Sequence, residues 1–358
     1  MKILTVVGAR PQFIKAAAVS RKLRIHNEEI LVHTGQHYDS NMSEVFFEEM
    51  HIPQPDYNLK ISGGGHGEMT GRMLIELEKL LLEVKPDAVL LYGDTNSTLA
   101  GALAAVKLHI PIAHVEAGNR LGTLDNPEEV NRITADHASK LLLCATETAK
   151  ENLIQENLGD RAYVVGNIMY DSFLYFSERM KENSLFLTDY EGRTYQVPAE
   201  FYYLTCHREE NTFSDDPLNQ IFMAMEELDA PVIYPVHPRN RERALRLVET
   251  YHYRNLKLVP PVKYSESVWL TNHAKKIITD SGGLQCEACF AKKQCVTVFH
   301  YKEWPETLVD NRNQLSSPKK EEILEKLSRE QKINESYQPF GDGHTAEKIV
   351  SLIEEKLI

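Results

Sequence analysis

The chain has 358 residues, 42% apolar and 26% charged, the make-up of an ordinary globular protein and enough for two domains with a core each. Its formal net charge of -12 speaks against nucleic acid as the main partner, although local cations and backbone amides still allow an anionic ligand. No run approaches the roughly 18 apolar residues of a membrane-crossing helix, and the opening MKILTVVGAR reads as a strand entering a loop rather than a signal peptide, so a cytoplasmic location is expected.

Short apolar runs alternate with helical patterns along the chain. The first run, Ile3–Val7, leads into Gly8-Ala9-Arg10-Pro11-Gln12-Phe13-Ile14-Lys15. Gly8 permits a tight turn and Pro11 suits a first helical turn. Arg10 and Lys15 then flank a helix N-terminus, where a phosphate is stabilised. The loop lacks the GxGxxG of dinucleotide-binding folds. Further strands are expected at Ile30–His33, Ala88–Tyr92, Ile112–Val115, Leu141–Cys144 and Tyr163–Val165, with helices such as Thr70–Leu82 and Thr98–Leu108 between them. Alternating strands and helices with continuous apolar strands imply parallel sheets covered on both faces. Two carboxylates fall at strand ends, Asp94 in YGDTNST and Glu116 in HVEAGNR. A third, Glu128 in PEEVNR, falls in the first turn of a helix. Each position is also compatible with a structural role, as a helix cap or a partner for the helix dipole. Three carboxylates on neighbouring loops point instead to proton chemistry, because their proximity pushes their proton affinities apart.

After residue 168 the pattern breaks at a helix-like stretch and the polar segment Asp189–Pro198. A second series follows at Phe201–Thr205, Val232–Val236, Leu256–Val259, Lys276–Thr279 and Cys295–Phe299, and the chain closes on an amphipathic helix, Thr345–Leu357. The motifs CHREEN and VHPRNR each put a histidine beside an arginine at a strand end, a cationic arrangement for a diphosphate. In DSGGLQCEA, Ser281 and the amides of Gly282 and Gly283 open a helix suited to phosphate, and Glu287 lies one turn on, placed for ribose hydroxyls. Five cysteines, at 144, 206, 286, 289 and 295, are expected as reduced thiols. The Cys286/Cys289 CxxC has no second pair or nearby histidines, so no metal is expected. The expected architecture is α/β, with two Rossmann-like domains facing a cleft: residues 1–168 with the returning helix 345–358, and residues 169–344.

GARPQFIK, TGQHYD, YGDTNST, HVEAGNR, PEEVNR, CHREEN, VHPRNR and DSGGLQCEA occur in one order over nearly the whole chain. That order resembles the non-hydrolysing UDP-N-acetylglucosamine 2-epimerases, whose fold is of the glycosyltransferase-B type. The resemblance implies Asp94, Glu116, Glu128 and His207 as the catalytic group. It implies Arg10, Lys15, Arg132, His237, Ser281, Gly282, Gly283 and Glu287 as substrate- and nucleotide-binding residues of the interdomain cleft. It also implies a UDP-sugar as partner, no cofactor or metal, a homodimer, and a route through elimination of UDP to a glucal and re-addition on the other face. The chain departs from the members acting on UDP-N-acetylglucosamine at Tyr38 and Glu209, where those have arginines of an activator site, and at Trp304-Pro305-Glu306 in place of Arg-Pro-Glu. After the latter stretch, Val309-Asp310-Asn311-Arg312 lacks the usual glycine-containing turn. TGQHYD and HREEN look more like a branch acting on modified sugars such as UDP-2,3-diacetamido-glucuronate. Competing readings are a hydrolysing epimerase releasing free N-acetylmannosamine, a glycosyltransferase of the same fold, and a sugar-nucleotide binder without activity.

Overall fold

The computed structural model describes residues 1–36, 52–180, 184–330, 334 and 336–357, with only the backbone of Arg10. The chain forms two compact units, Met1–Ser172 with Gln338–Ile358, and Phe173–Tyr337. The first is built on seven parallel strands: β1 (Lys2–Val7), β2 (Glu28–His33), β3 (Tyr57–Asn58), β4 (Ala88–Tyr92), β5 (Ile112–Ala117), β6 (Leu141–Cys144) and β7 (Ala162–Val164). Their order is β3-β2-β1-β4-β5-β6-β7. All five residues of β4, AVLLY, are buried, as a strand covered on both faces requires.

The second unit opens with an antiparallel hairpin, β8 (Phe186–Thr188) and β9 (Thr194–Gln196). Within the polar segment that read as a break in the pattern, Asp189 accepts the amides of Glu191 and Arg193 through Oδ1 and so closes the turn. Six parallel strands follow: β10 (Tyr202–Thr205), β11 (Val232–Pro235), β12 (Leu256–Val259), β13 (Ile277–Thr279), β14 (Cys295–Val298) and β15 (Asn313–Ser316), ordered β12-β11-β10-β13-β14-β15. Two Rossmann-like α/β units are thus present, each a doubly wound sheet. The strand order reverses between β1 and β4 in the first and between β10 and β13 in the second, and ligands of such sheets bind outside the carboxyl ends at that reversal. The loops there are Gly8–Lys15 and Gly93–Asp94 in the first unit, and Cys206–Arg208 and Asp280–Gly283 in the second.

The turn ahead of β15 is made without glycine. Asp310 and Asn311 adopt φ of 58° and 55°, the left-handed region that short polar side chains tolerate best after glycine.

The C-terminal helix Thr345–Lys356 returns to the first unit and packs on the helix Arg10–Leu23. Lys22 pairs with Glu347 at 2.7 Å, and Asn27 donates to Glu354 at 2.7 Å. Its N-terminus is capped from a distance: the Asp171 carboxylate accepts the amides of Thr345 (3.1 Å) and Ala346 (2.8 Å). Asp171→Ala is expected to destabilise the protein by about 0.5–2 kcal/mol, as loss of an N-cap does. Chemical denaturation checks this, and Asp171→Asn should retain most of the loss.

Candidate active site

In the first unit the loops after β1, β4 and β5 are locked together. Gln12 is buried; its Oε1 accepts the amides of Gly8 (2.8 Å) and Ala9 (3.1 Å), and its Nε2 donates to the Tyr92 carbonyl (2.7 Å). One helical turn on, Lys15 forms an ion pair with Glu116. Gly93, at φ +62°, lies against this pair: a Cβ there would stand 3.4 Å from Lys15 Nζ and 3.7 Å from Glu116 Oε2. Glu116 itself holds φ +70°, where the β5–β6 register shifts between Val115 and Ala117. Such a conformation is costly for a non-glycine residue and clusters at functional sites. Lys15, expected among the nucleotide-binding residues, here serves a carboxylate.

Asp94 pairs with Arg132, which also binds Glu129. The Asp94 carbonyl accepts Asn131 Nδ2 at 2.9 Å. Arg132, also expected on the substrate, is therefore held between two carboxylates of its own chain. Glu128 is exposed, four residues before Arg132 and so on the same helix face. Glu129 could stand in for Glu128 on sequence grounds alone, but it is turned inward. Its Oε1 accepts the amides of Leu121 (2.8 Å) and Gly122 (3.2 Å), so it closes the 117–122 loop.

Beneath these residues lies a chain of buried charge. Asp136 accepts from His114 Nδ1 at 2.7 Å, from Arg120 Nη1 at 2.8 Å and from the Gly118 amide at 3.1 Å. Arg120 continues to Glu156 through two bonds of 2.6 and 2.8 Å. Burial alone would push the Asp136 carboxyl up, but His114 and Arg120 hold it below the ordinary aspartate range.

In the second unit Asp280 plays the corresponding part. Fully buried after β13, it accepts the amides of His207 (2.9 Å) and Arg208 (2.8 Å), Asn211 Nδ2 (3.2 Å), and stands 3.1 Å from His207 Nδ1. Burial raises its carboxyl and these donors, led by His207, lower it below the usual value. The His207 ring is thereby oriented while 43% of its side chain stays exposed, and His237 lies beside it, with ring centroids 6.1 Å apart. Ser281 Oγ accepts the Leu284 amide at 3.3 Å and caps the helix Gly282–Phe290. Glu303 lies over Gly282, where a Cβ would meet its carboxylate at 2.1 Å, and it also pairs with Arg208 at 2.8 Å. Glu287 is buried in the second turn of this helix. Cys286 and Cys289 are buried thiols that burial pushes up, and among the described residues no group of side chains could hold a metal ion. Glu209 is exposed; Tyr38 and the Arg10 side chain lie outside the described residues.

A family model described as UDP-N-acetylglucosamine 2-epimerase matches residues 21–354. The chain belongs to the UDP-N-acetylglucosamine 2-epimerase family. It is 48% identical over 358 residues to a UDP-N-acetylglucosamine 2-epimerase homolog of Methanococcus maripaludis, covering 99% of both chains. It is 45% identical over 365 residues to the UDP-2,3-diacetamido-2,3-dideoxy-D-glucuronate 2-epimerase of Pseudomonas aeruginosa, again covering 99% of both. Among solved structures it is similar to the Methanocaldococcus jannaschii UDP-GlcNAc 2-epimerase in complex with UDP-GlcNAc and UDP, at TM-score 0.86 and 37% identity, covering 99% of this chain and 100% of that one. Among the described residues, no helix of this epimerase is long and apolar enough to cross a membrane.

Sequence reasoning passed over Gln12, His114, Asp136 and Asp280 as individual residues, although all but Asp136 stand within the quoted motifs. The signal available was position: each polar side chain lies in or beside an apolar strand or on an inward helix face, where a buried polar group demands partners. Asp280→Ala would leave two backbone amides and Asn211 without their acceptor, at about 1–3 kcal/mol each. A loss of at least about 3 kcal/mol is expected. Both tryptophans, Trp269 and Trp304, lie in the second unit, so denaturation followed by tryptophan fluorescence reads it. Since the folded carboxyl is depressed, its contribution is present above the ordinary value near ~3.9 and is lost as pH falls below that.

Proposed function

We propose that this epimerase inverts C2 of a UDP-linked N-acetylhexosamine by eliminating UDP and adding it back, releasing no free sugar. The C2 proton of such a sugar is not acidic. Departure of UDP with the C1–O electron pair builds positive charge at C1, which makes the C2–H bond labile. Transfer of that proton to a carboxylate gives the C1=C2 double bond of a 2-acetamidoglucal. Return of a proton to the opposite face of C2, with UDP re-adding at C1, completes the inversion. Two faces call for two proton-handling groups or one mobile group. The observation that carries the reading is the pair of strand-end carboxylates in the first unit, Asp94 with Arg132 and Glu116 with Lys15, joined through Gly93. Glu128 is the third member of the group. In the second unit His207, His237, Ser281, Gly282, Gly283 and Glu287, with Arg10 from the first unit, bind UDP; His207 neutralises or protonates the departing phosphate. Helix amides and cations suit the diphosphate without a metal.

The sugar in this proposal is a modified one of the 2,3-diacetamido-glucuronate kind. The 45% identity to an enzyme of that name supports it, as does exposed Glu209 at a position where the UDP-N-acetylglucosamine branch has an arginine. A nucleotide-sugar substrate places the enzyme in the cytoplasm. The homodimer belongs to the same proposal. Exposed Ile75, Leu82, Val106 and Val130 lie on the helices His66–Val84, Asn96–Lys107 and Pro127–Ala138, which pack side by side, with Leu124 just ahead of the last. A cavity of 640 Å³ between them is lined by Leu74, Leu99 and Leu103. Apolar exposure of this kind marks a protein interface.

Two measurements test these statements. Asp94→Asn, Glu116→Gln and Glu128→Gln should each lower C2 proton exchange in deuterated water by roughly 10² or more, while calorimetric UDP affinity stays near wild type. Glu287→Ala should do the reverse and weaken UDP binding by roughly 1.5–3 kcal/mol. Near wild-type exchange in all three carboxylate variants would refute the mechanism and bring back the binder or transferase readings. For assembly, light scattering should find a dimer that Leu82→Glu converts to a monomer; a monomeric wild type removes the interface.

A further inference from the structure

His114 is fully buried within β5, and both ring nitrogens face acceptors: Nδ1 stands 2.7 Å from Asp136 Oδ1, and Nε2 stands 2.6 Å from the carbonyl oxygen of Gly93. A carbonyl oxygen only accepts, so Nε2 carries a hydrogen. On the other side, Asp136 receives Arg120 and the Gly118 amide on Oδ2, and its carboxyl is held below the ordinary range. An ionised carboxylate also only accepts, so Nδ1 carries a hydrogen as well. We infer that His114 is a buried imidazolium that acts as a positioning residue, binding the tips of β4 and β5 so that Asp94 and Glu116 face the same reacting carbon. This rests on the proposed proton-handling role of those two carboxylates.

The charges support the assignment. His114, Asp136, Arg120 and Glu156 alternate in sign along one hydrogen-bonded chain, so the buried cation is balanced by its neighbours rather than isolated. A neutral histidine would leave either the Gly93 carbonyl or one bond of Asp136 unmade, and an unmade buried bond is costly.

The geometry gives the cation its task. Gly93 is held on both sides: its amide donates to the Val115 carbonyl at 3.0 Å, and its own carbonyl takes the His114 hydrogen. This fixes the peptide plane that introduces Asp94, whose carbonyl is tied in turn by Asn131. The far end of the same pair fixes the other carboxylate. Asp136 takes the amide of Gly118, two residues beyond Glu116, in a turn where Gly118 holds φ +84° and Glu116 φ +70°. A Cβ on Gly118 would meet the Ala149 carbonyl oxygen at 2.2 Å, so this turn has no room to shift. One ion pair therefore sets both carboxylate-bearing loops. A change in ring charge or reach misplaces Asp94 and Glu116 without touching the nucleotide.

The test has a spectroscopic and a kinetic arm. In enzyme labelled with nitrogen-15 histidine, without substrate and near neutral pH, the resonances of His114, assigned by their absence in His114→Asn or His114→Gln, should show both ring nitrogens protonated. A neutral tautomer overturns the charge assignment. His114→Asn keeps a donor toward Asp136 and withdraws the one to Gly93. C2 proton exchange should fall roughly 10–100-fold, the range that a small misplacement of reacting groups costs, with UDP affinity within about twofold of wild type. His114→Gln, which offers a donor nearer the Nε2 position, should recover part of the rate. Exchange near wild type in His114→Asn, or a parallel loss of UDP affinity, overturns the positioning role. The spectrum requires no turnover, so it separates the two ideas: wild-type exchange in Asp94→Asn beside a doubly protonated His114 would defeat the proposed mechanism and leave the imidazolium standing.

Discussion

Each unit of this epimerase is organised by one buried aspartate. Placing an ionised carboxylate in a protein interior costs several kcal/mol unless donors surround it. Asp136 and Asp280 are both fully buried, and each is met by four donated bonds or close contacts from the loops that carry chemistry. Asp136 collects His114, Arg120 and the Gly118 amide; Asp280 collects the amides of His207 and Arg208, the His207 ring and Asn211. The desolvation cost is offset only while every donor stays in place, so the same bonds that keep the charge buried keep the loops rigid. Rigid loops at the carboxyl ends of strands are what a site needs if its reacting groups are to be held within a fraction of an ångström. The functional side chains are then added on the outer side of this framework: Asp94 and Glu116 above Asp136, His207 beside Asp280.

The division of labour follows from where cations sit. The first unit gives each strand-end carboxylate its own cation, Lys15 for Glu116 and Arg132 for Asp94. The second presents two neighbouring histidine rings and a capped helix start. Its cation Arg208 is occupied by Glu303, which lies over the helix start at Gly282. Proton transfer belongs with the first arrangement and phosphate with the second. The strained φ of Glu116 fits this picture, since a conformation that costs energy persists only where its surroundings over-determine it.

Much of this was legible in the sequence, for identifiable reasons. Strands such as Ala88–Tyr92 and Leu141–Cys144 are short unbroken apolar runs, which only a sheet covered on both faces needs. Asp94 and Glu116 stand out because they interrupt such runs at their ends. The polar edge strand β15, NQLS, gave no such contrast. Its Asn313 and Gln314 are buried by side-chain bonds to Gln285 and to the Lys326 carbonyl, which no apolar period announces. Asp136 was hidden for the opposite reason. In the helix Pro127–Ala138 the buried face is charged, through Glu129, Arg132 and Asp136 at spacings of three and four, whereas Val130 points outward. The usual rule of apolar inside and charged outside reads that helix inverted. Pairing escapes sequence as well: Lys15 and Arg132 look like phosphate ligands until the fold places a carboxylate against each.

The central claim is that the bond between C1 and the β-phosphate oxygen breaks and re-forms while C2 is inverted. Positional isotope exchange tests this most directly. A UDP-sugar labelled with oxygen-18 in the C1–O–P bridge is incubated with the enzyme in deuterated water, and recovered material is read by phosphorus and proton NMR. The account predicts that the label spreads from the bridge into the non-bridging oxygens of the β-phosphate as deuterium enters C2, with the sugar still attached to UDP. Deuterium at C2 with the label confined to the bridge would contradict elimination, and free sugar as the main product would show that water, not UDP, completes the reaction.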